Sequence, residues 1–220
     1  PDILDEARYE LEWLFKMQDT YGGVYSKVMT QQFPGSILPQ NDNAPLYLME
    51  VDTLATADFA SAMALASEVY QDFDTDFSKR CLEASKNAFN FLLGNPEFIY
   101  HDNPEGFAGG DYRDESDIDE RLNASLLLYT ATLDPSYLTY AETYYQQDPT
   151  CIGDLSWKMI SSFGIYHYLK LEEDTPFAQQ LRQDFINQIS SLSGYCYGDN
   201  YQAAIDTYVW GSNSYPANRG

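Results

Sequence analysis

The stretch LATADFASAMALASEVY, Leu54–Tyr70, decides the fold class of this chain. It is rich in Ala and Ser and is apolar nearly all round, which predicts a helix packed on several sides. The next stretch, Thr75–Leu93, carries its apolar residues on one stripe and predicts an amphipathic helix. Because only the short turn Gln71–Asp74 joins them, we expect the two helices to form an antiparallel hairpin.

The same alternation of buried and amphipathic helices continues along the chain. Short turns join the helices of each pair, whereas long connections precede the more buried helices. This arrangement predicts an all-α fold with an inner ring of helices, an outer ring and one loop-rich face. The predicted helices are Asp2–Gln18, Leu54–Tyr70, Thr75–Leu93, Asp119–Leu133, Pro135–Gln147, Trp157–Lys170 and Pro176–Leu192, and a further helix is expected to start at Gly211–Asn213.

The first long connection, Tyr21–Thr53, has local strand character. Gly23–Met29 alternates and contains β-branched residues, and Leu46–Leu48 is a suitable partner for it, so we expect a small β-hairpin at the loop-rich face. Loops of this length are usually functional or disordered. Because the long loops are rich in Tyr, Phe, Asp and Gly, we favour a role in facing a ligand.

The charge and the aromatic content narrow the class of partner. The chain has 34 acidic residues against 12 basic ones, a net charge of −22, which argues against nucleic acid and against anionic membranes as partners. No stretch of about 18 apolar residues is present, so no membrane-spanning helix is expected. The 19 Tyr, 12 Phe and 3 Trp supply rings for a core and for stacking on a neutral ligand.

Several isolated residues are assigned structural roles. Cys81, Cys151 and Cys196 are odd in number and widely spaced, without a Cys/His cluster, which favours small buried thiols over a metal site. Asp58 lies inside an otherwise apolar helix, and a buried carboxylate must be paired or hydrogen-bonded. We therefore expect Asp58 to be buried and structural.

Several phrases occur in a fixed order along the chain. They are GGVYSKV (Gly22–Val28), FPG (Phe33–Gly35), TLATADFA (Thr53–Ala60), DIDERLNASLLLY (Asp117–Tyr129) and YVWGSNS (Tyr208–Ser214). Together they resemble glycoside hydrolase family 9, the inverting cellulases built on an (α/α)6 barrel. The resemblance implies a partial (α/α)6 barrel with a small β-hairpin in a long loop, and a single domain over residues 1–220 that is the central portion of the catalytic domain.

The resemblance also implies where the chemistry lies. Inverting glycoside hydrolysis needs a general acid and a general base about 6.5–9.5 Å apart. The family takes its base from a paired-Asp segment that would precede Pro1, and its acid from a Glu that would follow Gly220. We therefore assign no catalytic residue within the chain, expect residues 1–220 to be inactive alone, and expect the missing remainder of the catalytic domain to be a partner.

As part of such an enzyme, the chain would act on cellulose or related β-glucans in the manner of an endo-β-1,4-glucanase, secreted or periplasmic, with no required cofactor. Its expected partner is a β-glucan polysaccharide or oligosaccharide, with no nucleic acid and no membrane. Two alternatives stay open. One is a non-catalytic helical module that binds glycans or proteins, and the other is a different (α/α)-barrel polysaccharide-degrading enzyme such as a lyase.

Sugar rings offer apolar C–H faces that stack on aromatic rings, so aromatic residues are candidates for sugar binding. We look for them on the long loops, which are expected to face a ligand. The resemblance makes Trp210 a candidate platform, and Tyr25 and Tyr112 are further candidates. The alternative for each ring is a hydrophobic contact at the barrel rim. The family often reads GGVYHKV, where the His contacts substrate. This chain has Ser26 there, which implies a shorter reach, no charge and a different substrate preference.

Acidic residues crowd one loop and the helix start after it, where oxygen ligands suit Ca²⁺ and where a helix N-terminus also favours acids. Ser116, Asp119 and Glu120 roughly match the structural calcium ligands that the resemblance implies, with one residue fewer in the spacing. The family pattern also has an Asp after a Trp, but here Lys158 follows Trp157. Calcium binding and neutralisation of the acidic residues by Lys158 both stay open.

Overall fold

The computed structural model describes residues 2–198, 205, 208 and 211–219, and the described part is mainly helical. No described helix is long and apolar enough to cross a membrane. The chain divides into two compact units, Pro1–Asp117 and Ile118–Gly220, and the assignment of one domain stays a prediction. The helices are α1 Asp2–Leu14, α2 Thr53–Tyr70, α3 Thr75–Gly94, α4 Ile118–Thr132, α5 Pro135–Gln147, α6 Ser161–Leu169, α7 Pro176–Gly198 and α8 Ser214–Arg219, and the strands are β1 Val24–Tyr25, β2 Val28–Met29, β3 Tyr47–Leu48 and β4 Val51–Asp52.

The first unit is built around the hairpin of α2 and α3. Asp52 and Asp74 are the N-caps of the two helices, and each carboxylate accepts an amide hydrogen bond from the first turn. The small residues of α2 let α3 approach closely, so that the Ser85 hydroxyl donates to the Ala60 carbonyl at 2.6 Å. The predicted hairpin is therefore confirmed.

Helix α1 contacts this hairpin through charged and aromatic side chains, and none of its residues is buried. Arg8 donates to Asp74 at 2.7 Å, and its guanidinium lies over the ring of Phe77, 4.3 Å from the centroid. The helix ends at Leu14, and a 3-10 turn over Phe15–Met17 follows it. The sequence predicted one continuous α-helix over Asp2–Gln18, whereas the structure has the tighter 3-10 turn in its last part.

A narrow antiparallel ribbon occupies the long connection before α2. Strand β1 pairs with β4 and β2 pairs with β3, which places Val24 opposite Asp52 and Val28 opposite Leu48. The pairing of β2 with β3 confirms the predicted hairpin. The pairing of β1 with β4 extends the ribbon to Asp52, the N-cap of α2.

The second unit contains the hairpins α4–α5 and α6–α7. Asp134 caps α5, and Pro135 occupies its first turn, where a missing amide hydrogen has no cost. Helix α6 crosses α4 at Gly164, whose amide donates to Asn123 Oδ1 at 2.7 Å. A Cβ at Gly164 would lie 2.6 Å from that oxygen, so the close approach of the two helices requires glycine.

Two helix boundaries in this unit differ from those predicted by more than one residue. A tight turn bridged between Ser156 and Met159 precedes α6, so the helix begins at Ser161 rather than at Trp157. Helix α7 continues past Leu192, since no proline interrupts it.

The cysteines agree with the prediction where the structure describes them. Cys81 and Cys151 are free and buried. Burial raises the pKa of the Cys81 thiol to about 11 and that of Cys151 to about 12, so both are neutral thiols near pH 7. The side chain of Cys196 lies outside the described part of the chain.

Candidate functional site

A cleft of about 270 Å³ opens beside the ribbon in the first unit. It is formed by the end of α1, by strand β1 with the residue that follows it, and by one face of α2. Tyr25 and Ser26, two of the predicted substrate-binding residues, both line it. Trp13, Asp58 and Phe59 are its other polar or aromatic lining residues, and the rest of the lining is aliphatic or Met.

The turn before β1 is fixed by two glycines. Gly22 has a φ of +95°, and a Cβ there would lie 2.3 Å from the carbonyl oxygen of Asn87, so only glycine fits. A Cβ at Gly23 would lie 2.6 Å from Val51 Cγ1. The Asp19 carboxylate closes the turn by accepting from the amide of Gly23 at 3.0 Å. The glycine pair therefore fixes the path of β1 and of the cleft residues that follow.

A buried chain of hydrogen bonds ties β1 to the first turn of α2. The Thr56 hydroxyl accepts from the amide of Val24 at 2.9 Å and donates to the carbonyl of Asp52 at 2.5 Å. Ile99, on the loop after α3, makes two hydrogen bonds to Thr53, the first residue of α2. The Thr53 amide donates to the Ile99 carbonyl at 3.0 Å, and the Ile99 amide donates to the Thr53 hydroxyl at 3.0 Å. Side chains as well as strand pairing therefore hold β1 at the start of α2.

The carboxyl group of Asp52, the N-cap of α2, has an unusual pKa. Asp52 is 2% exposed, and burial raises the pKa of its carboxyl group to about 6. The hydrogen bond from the Ala55 amide, at 2.7 Å, lowers the pKa, as do the charges of His101 and Lys27, while Asp117 adds to the increase. Burial outweighs the opposing effects, so Asp52 changes charge near neutral pH instead of near 3.8.

Ser26 offers an unused hydrogen-bonding group in the cleft wall. Its hydroxyl oxygen is buried and has no hydrogen-bond partner among the described residues. Leaving a buried hydroxyl unpaired costs about 1–3 kcal/mol, and a ligand hydroxyl recovers that energy when the Ser26 side chain turns from this buried position towards the cleft. The Ser26 amide donates to the Glu50 carbonyl at 3.1 Å, which fixes the backbone beneath the side chain. Tyr25, half-buried, adds an aromatic ring beside it.

Two lining residues were misjudged or missed from the sequence. Asp58 was predicted to be buried, but it is exposed on the cleft face of α2, so that prediction is wrong. Its neighbours on this face, Ala55 and Ala62, are too small to cover it, and an alanine-rich pattern does not distinguish an open face from a packed one. Trp13, 40% exposed, was missed because it lies off the apolar stripe of α1.

Tyr112, another of the candidate sugar-binding residues, does not line this cleft. Tyr112 is 65% exposed on the loop between α3 and α4, with a φ of +53° and its ring beside Gly110. Trp210 lies outside the described residues. The roles assigned to both residues stay predictions.

The candidate calcium ligands lie on both sides of the sequence boundary between the units. Ser116 is half-buried at the end of the first unit, and Asp119 and Glu120 are buried in the first turn of α4. Asp119 Oδ2 already accepts from the amide of Ile160 at 2.8 Å. Within residues 2–198, 205, 208 and 211–219, no group of three or more His, Cys, Asp or Glu side chains is arranged to hold a metal ion. Calcium binding by Ser116, Asp119 and Glu120 stays a prediction.

The Lys158 side chain is exposed and turned towards its neighbour in the sequence. Its ammonium lies over the ring of Trp157, 5.3 Å from the centroid, which is a cation–π contact. Its backbone amide donates to the Ser156 hydroxyl at 3.3 Å. Neutralisation of Asp119 and Glu120 by this lysine likewise stays a prediction.

Comparison with known proteins places these features in a family. The whole chain, residues 1–220, matches the profile of glycosyl hydrolase family 9. Endoglucanase D of Acetivibrio thermocellus is 30% identical over 220 residues, which is 97% of this chain and 35% of the relative. The chain thus spans about a third of the length of that protein.

Solved structures give the same result for the fold. A metagenome-derived glycoside hydrolase family 9 endoglucanase has a TM-score of 0.92 and 30% identity, covering 100% of this chain and 41% of that one. The structure of AaCel9A in complex with cellobiose-like isofagomine has a TM-score of 0.88 and 32% identity, covering 96% and 41%. These neighbours are (α/α)6-barrel enzymes, which confirms the predicted fold class. With a family profile matched from Pro1 to Gly220 and a fold shared at this level, the chain belongs to glycosyl hydrolase family 9.

Proposed function

We propose that this chain is part of an inverting glycoside hydrolase that cleaves internal β-1,4-glucosidic bonds in cellulose and related β-glucans. Its family membership and the endoglucanases among its relatives support the proposal. So does the cellobiose-like ligand of AaCel9A. We further propose a secreted or periplasmic location, because cellulose is a polymer that cells degrade outside the cytoplasm.

In this proposal the cleft beside the ribbon contacts the glucan. The observation that carries it is the buried Ser26 hydroxyl without a protein partner, next to the ring of Tyr25 in one cleft. A glucan offers a partner for each group, because its hydroxyls can hydrogen-bond to Ser26 and its C–H faces can stack on the ring of Tyr25. The strongly negative chain also suits a neutral polysaccharide better than an anionic one.

The reaction is tested on the protein that contains residues 1–220, with soluble β-1,4-glucan as substrate. An inverting hydrolase releases α-anomers from β-linkages, and NMR detects them before they equilibrate. Products with an unsaturated sugar would indicate a lyase instead. Glucan binding without any bond cleavage would indicate a non-catalytic module.

The role of the cleft is tested by Ser26→Ala, with Ser191→Ala as the matched control. Ser191 is exposed on α7, where its hydroxyl donates only to the Gln188 carbonyl at 2.8 Å. One hydrogen bond contributes about 0.5–1.5 kcal/mol, so Ser26→Ala should weaken cello-oligosaccharide binding about twofold to tenfold. Equal affinities for both variants and the unmodified protein would exclude Ser26 from the glucan site.

A further inference from the structure

We infer that Asp52 is a positioning residue for the cleft: its backbone joins β1, with Tyr25 and Ser26, to the start of α2, and ionisation of its buried carboxyl group loosens that junction. The part of this inference that concerns glucan affinity rests on the proposed function. The part that concerns the strand does not depend on any ligand.

The first step is mechanical, because Asp52 joins helix, strand and loop at one residue. Its carboxylate caps α2 through the Ala55 amide, and its backbone pairs with Val24 across the ribbon. The carbonyl of Asp52 accepts from the Thr56 hydroxyl, which in turn accepts from the Val24 amide. Tyr25 is the next residue along β1, so a disturbance at Asp52 reaches the cleft within one residue of strand.

The second step is electrostatic, and it involves groups from each element around the carboxyl group. Lys27 comes from the ribbon, His101 from the loop after α3 and Asp117 from the end of the unit. His101 is itself engaged, with Nδ1 3.2 Å from Glu50 Oε2. Since burial dominates over these charges, the ionised form of Asp52 is the unfavourable one in the closed turn.

The direction of the effect follows from linkage. Opening of the β1–β4 pair exposes Asp52 to water, where its pKa returns from about 6 towards 3.8. Proton binding therefore favours the closed turn, and that advantage is lost as the pH rises through 6. With these two values, the closed-to-open ratio should fall about tenfold between pH 5 and pH 8.

The test compares Asp52→Asn with Asp74→Asn. Asparagine caps a helix as well as aspartate does, so Asp52→Asn keeps the turn and removes only its titration. Asp74 caps α3 in the same way, but it is more exposed, and the pKa of its carboxyl group is lowered by the Phe77 amide and by Arg8. Asp74 is thus a suitable control, because it caps a helix as Asp52 does but its carboxyl group stays ionised near neutral pH.

The readout independent of ligand is amide hydrogen exchange of residues 23–28, measured by mass spectrometry between pH 5 and pH 8 and corrected for intrinsic exchange. We expect protection to fall about tenfold with pH in the unmodified protein and in Asp74→Asn, and to be flat in Asp52→Asn. A flat profile in the unmodified protein, or an unchanged slope in Asp52→Asn, overturns the inference.

Cellohexaose affinity over the same pH range tests the link to the cleft. Weaker binding at higher pH that disappears in Asp52→Asn supports it, whereas pH-independent affinity alongside pH-dependent exchange overturns it. If no β-glucan binds at any pH, the proposed function fails, and the exchange profiles alone decide whether Asp52 positions the strand.

Discussion

The crossing of α4 and α6 gives the sharpest single test of the fold, through Gly164→Ala. A Cβ at Gly164 would lie 2.6 Å from Asn123 Oδ1, 3.0 Å from its carbonyl oxygen and 3.1 Å from its Cα. Two of these atoms are backbone, so a rotamer change of Asn123 relieves only the closest contact. The helices must separate, and the buried hydrogen bond from the Gly164 amide to Asn123 Oδ1 must lengthen or break.

The magnitude is a balance of three effects. Overpacking a close contact costs about 1–3 kcal/mol. A weakened buried hydrogen bond costs about another 1–3 kcal/mol. Replacing Gly by Ala within a helix returns about 1 kcal/mol. We therefore expect Gly164→Ala to lower the free energy of unfolding by about 1–5 kcal/mol.

Urea denaturation followed by circular dichroism measures this change, with Gly194→Ala as the control. Gly194 lies within α7, and a Cβ there would meet no atom of the described residues within 4 Å, so this variant should gain about 0.5–1 kcal/mol from helix propensity alone. In the double variant Asn123→Ala/Gly164→Ala, part of the clash is relieved, so its cost should be less than the sum of the two single changes. Equal stabilisation by Gly164→Ala and Gly194→Ala would refute the close crossing.

Three further predictions follow from other parts of the molecule. The contribution of Asp52 to global stability is present at low pH and is lost as the pH rises from 3.8 towards 6. Asp52→Asn should therefore remove about 2 kcal/mol of pH dependence in urea titrations between about pH 4.5 and pH 7.5, and an unchanged dependence would contradict the buried carboxyl group. Added Ca²⁺ should leave the melting temperature unchanged relative to a chelator, whereas a rise of several degrees with Ca²⁺ would establish a metal site. Lys158→Ala should change the free energy of unfolding by less than about 0.5 kcal/mol. Trp210→Ala should weaken oligosaccharide binding and barely change the melting temperature, and a loss of stability with retained affinity would show that Trp210 is a core residue.

The helical part of the fold could be predicted because it is encoded locally. The Ala- and Ser-rich stretch of α2 and the one-sided stripe of α3 differ within a few residues of sequence, and the capping Asp74 marks where the second helix begins. The start of α5 at Pro135 matched the structure for the same reason. The start of α6 did not, because a bridge between Ser156 and Met159 competes with helix formation there.

The site could be predicted only in part, because its geometry depends on residues far apart in sequence. Ser26 was found through a family phrase and Tyr25 through its place on a long loop, yet the bond from Val24 to Thr56 spans 32 positions and leaves no local pattern. The exposure of Asp58 was misjudged, since its small neighbours look the same whether a partner covers them or not. Trp13 was overlooked because an aromatic residue outside an apolar stripe carries no signal of what it faces.

The ribbon also determines where the sequence tolerates substitutions and insertions with little loss of stability. Its base is fixed by glycines, by Thr56 and by strand pairing, so substitutions there disturb the cleft and the start of α2 together. Its tip, residues 33–46, is almost entirely exposed and contains only a short 3-10 turn at Pro39–Asn41. Because lengthening a surface loop costs little, about 0.6 kcal/mol for each doubling, insertions and exchanges at the tip are compatible with an unchanged base. New loops could thus be grafted onto the tip while the cleft residues keep their positions.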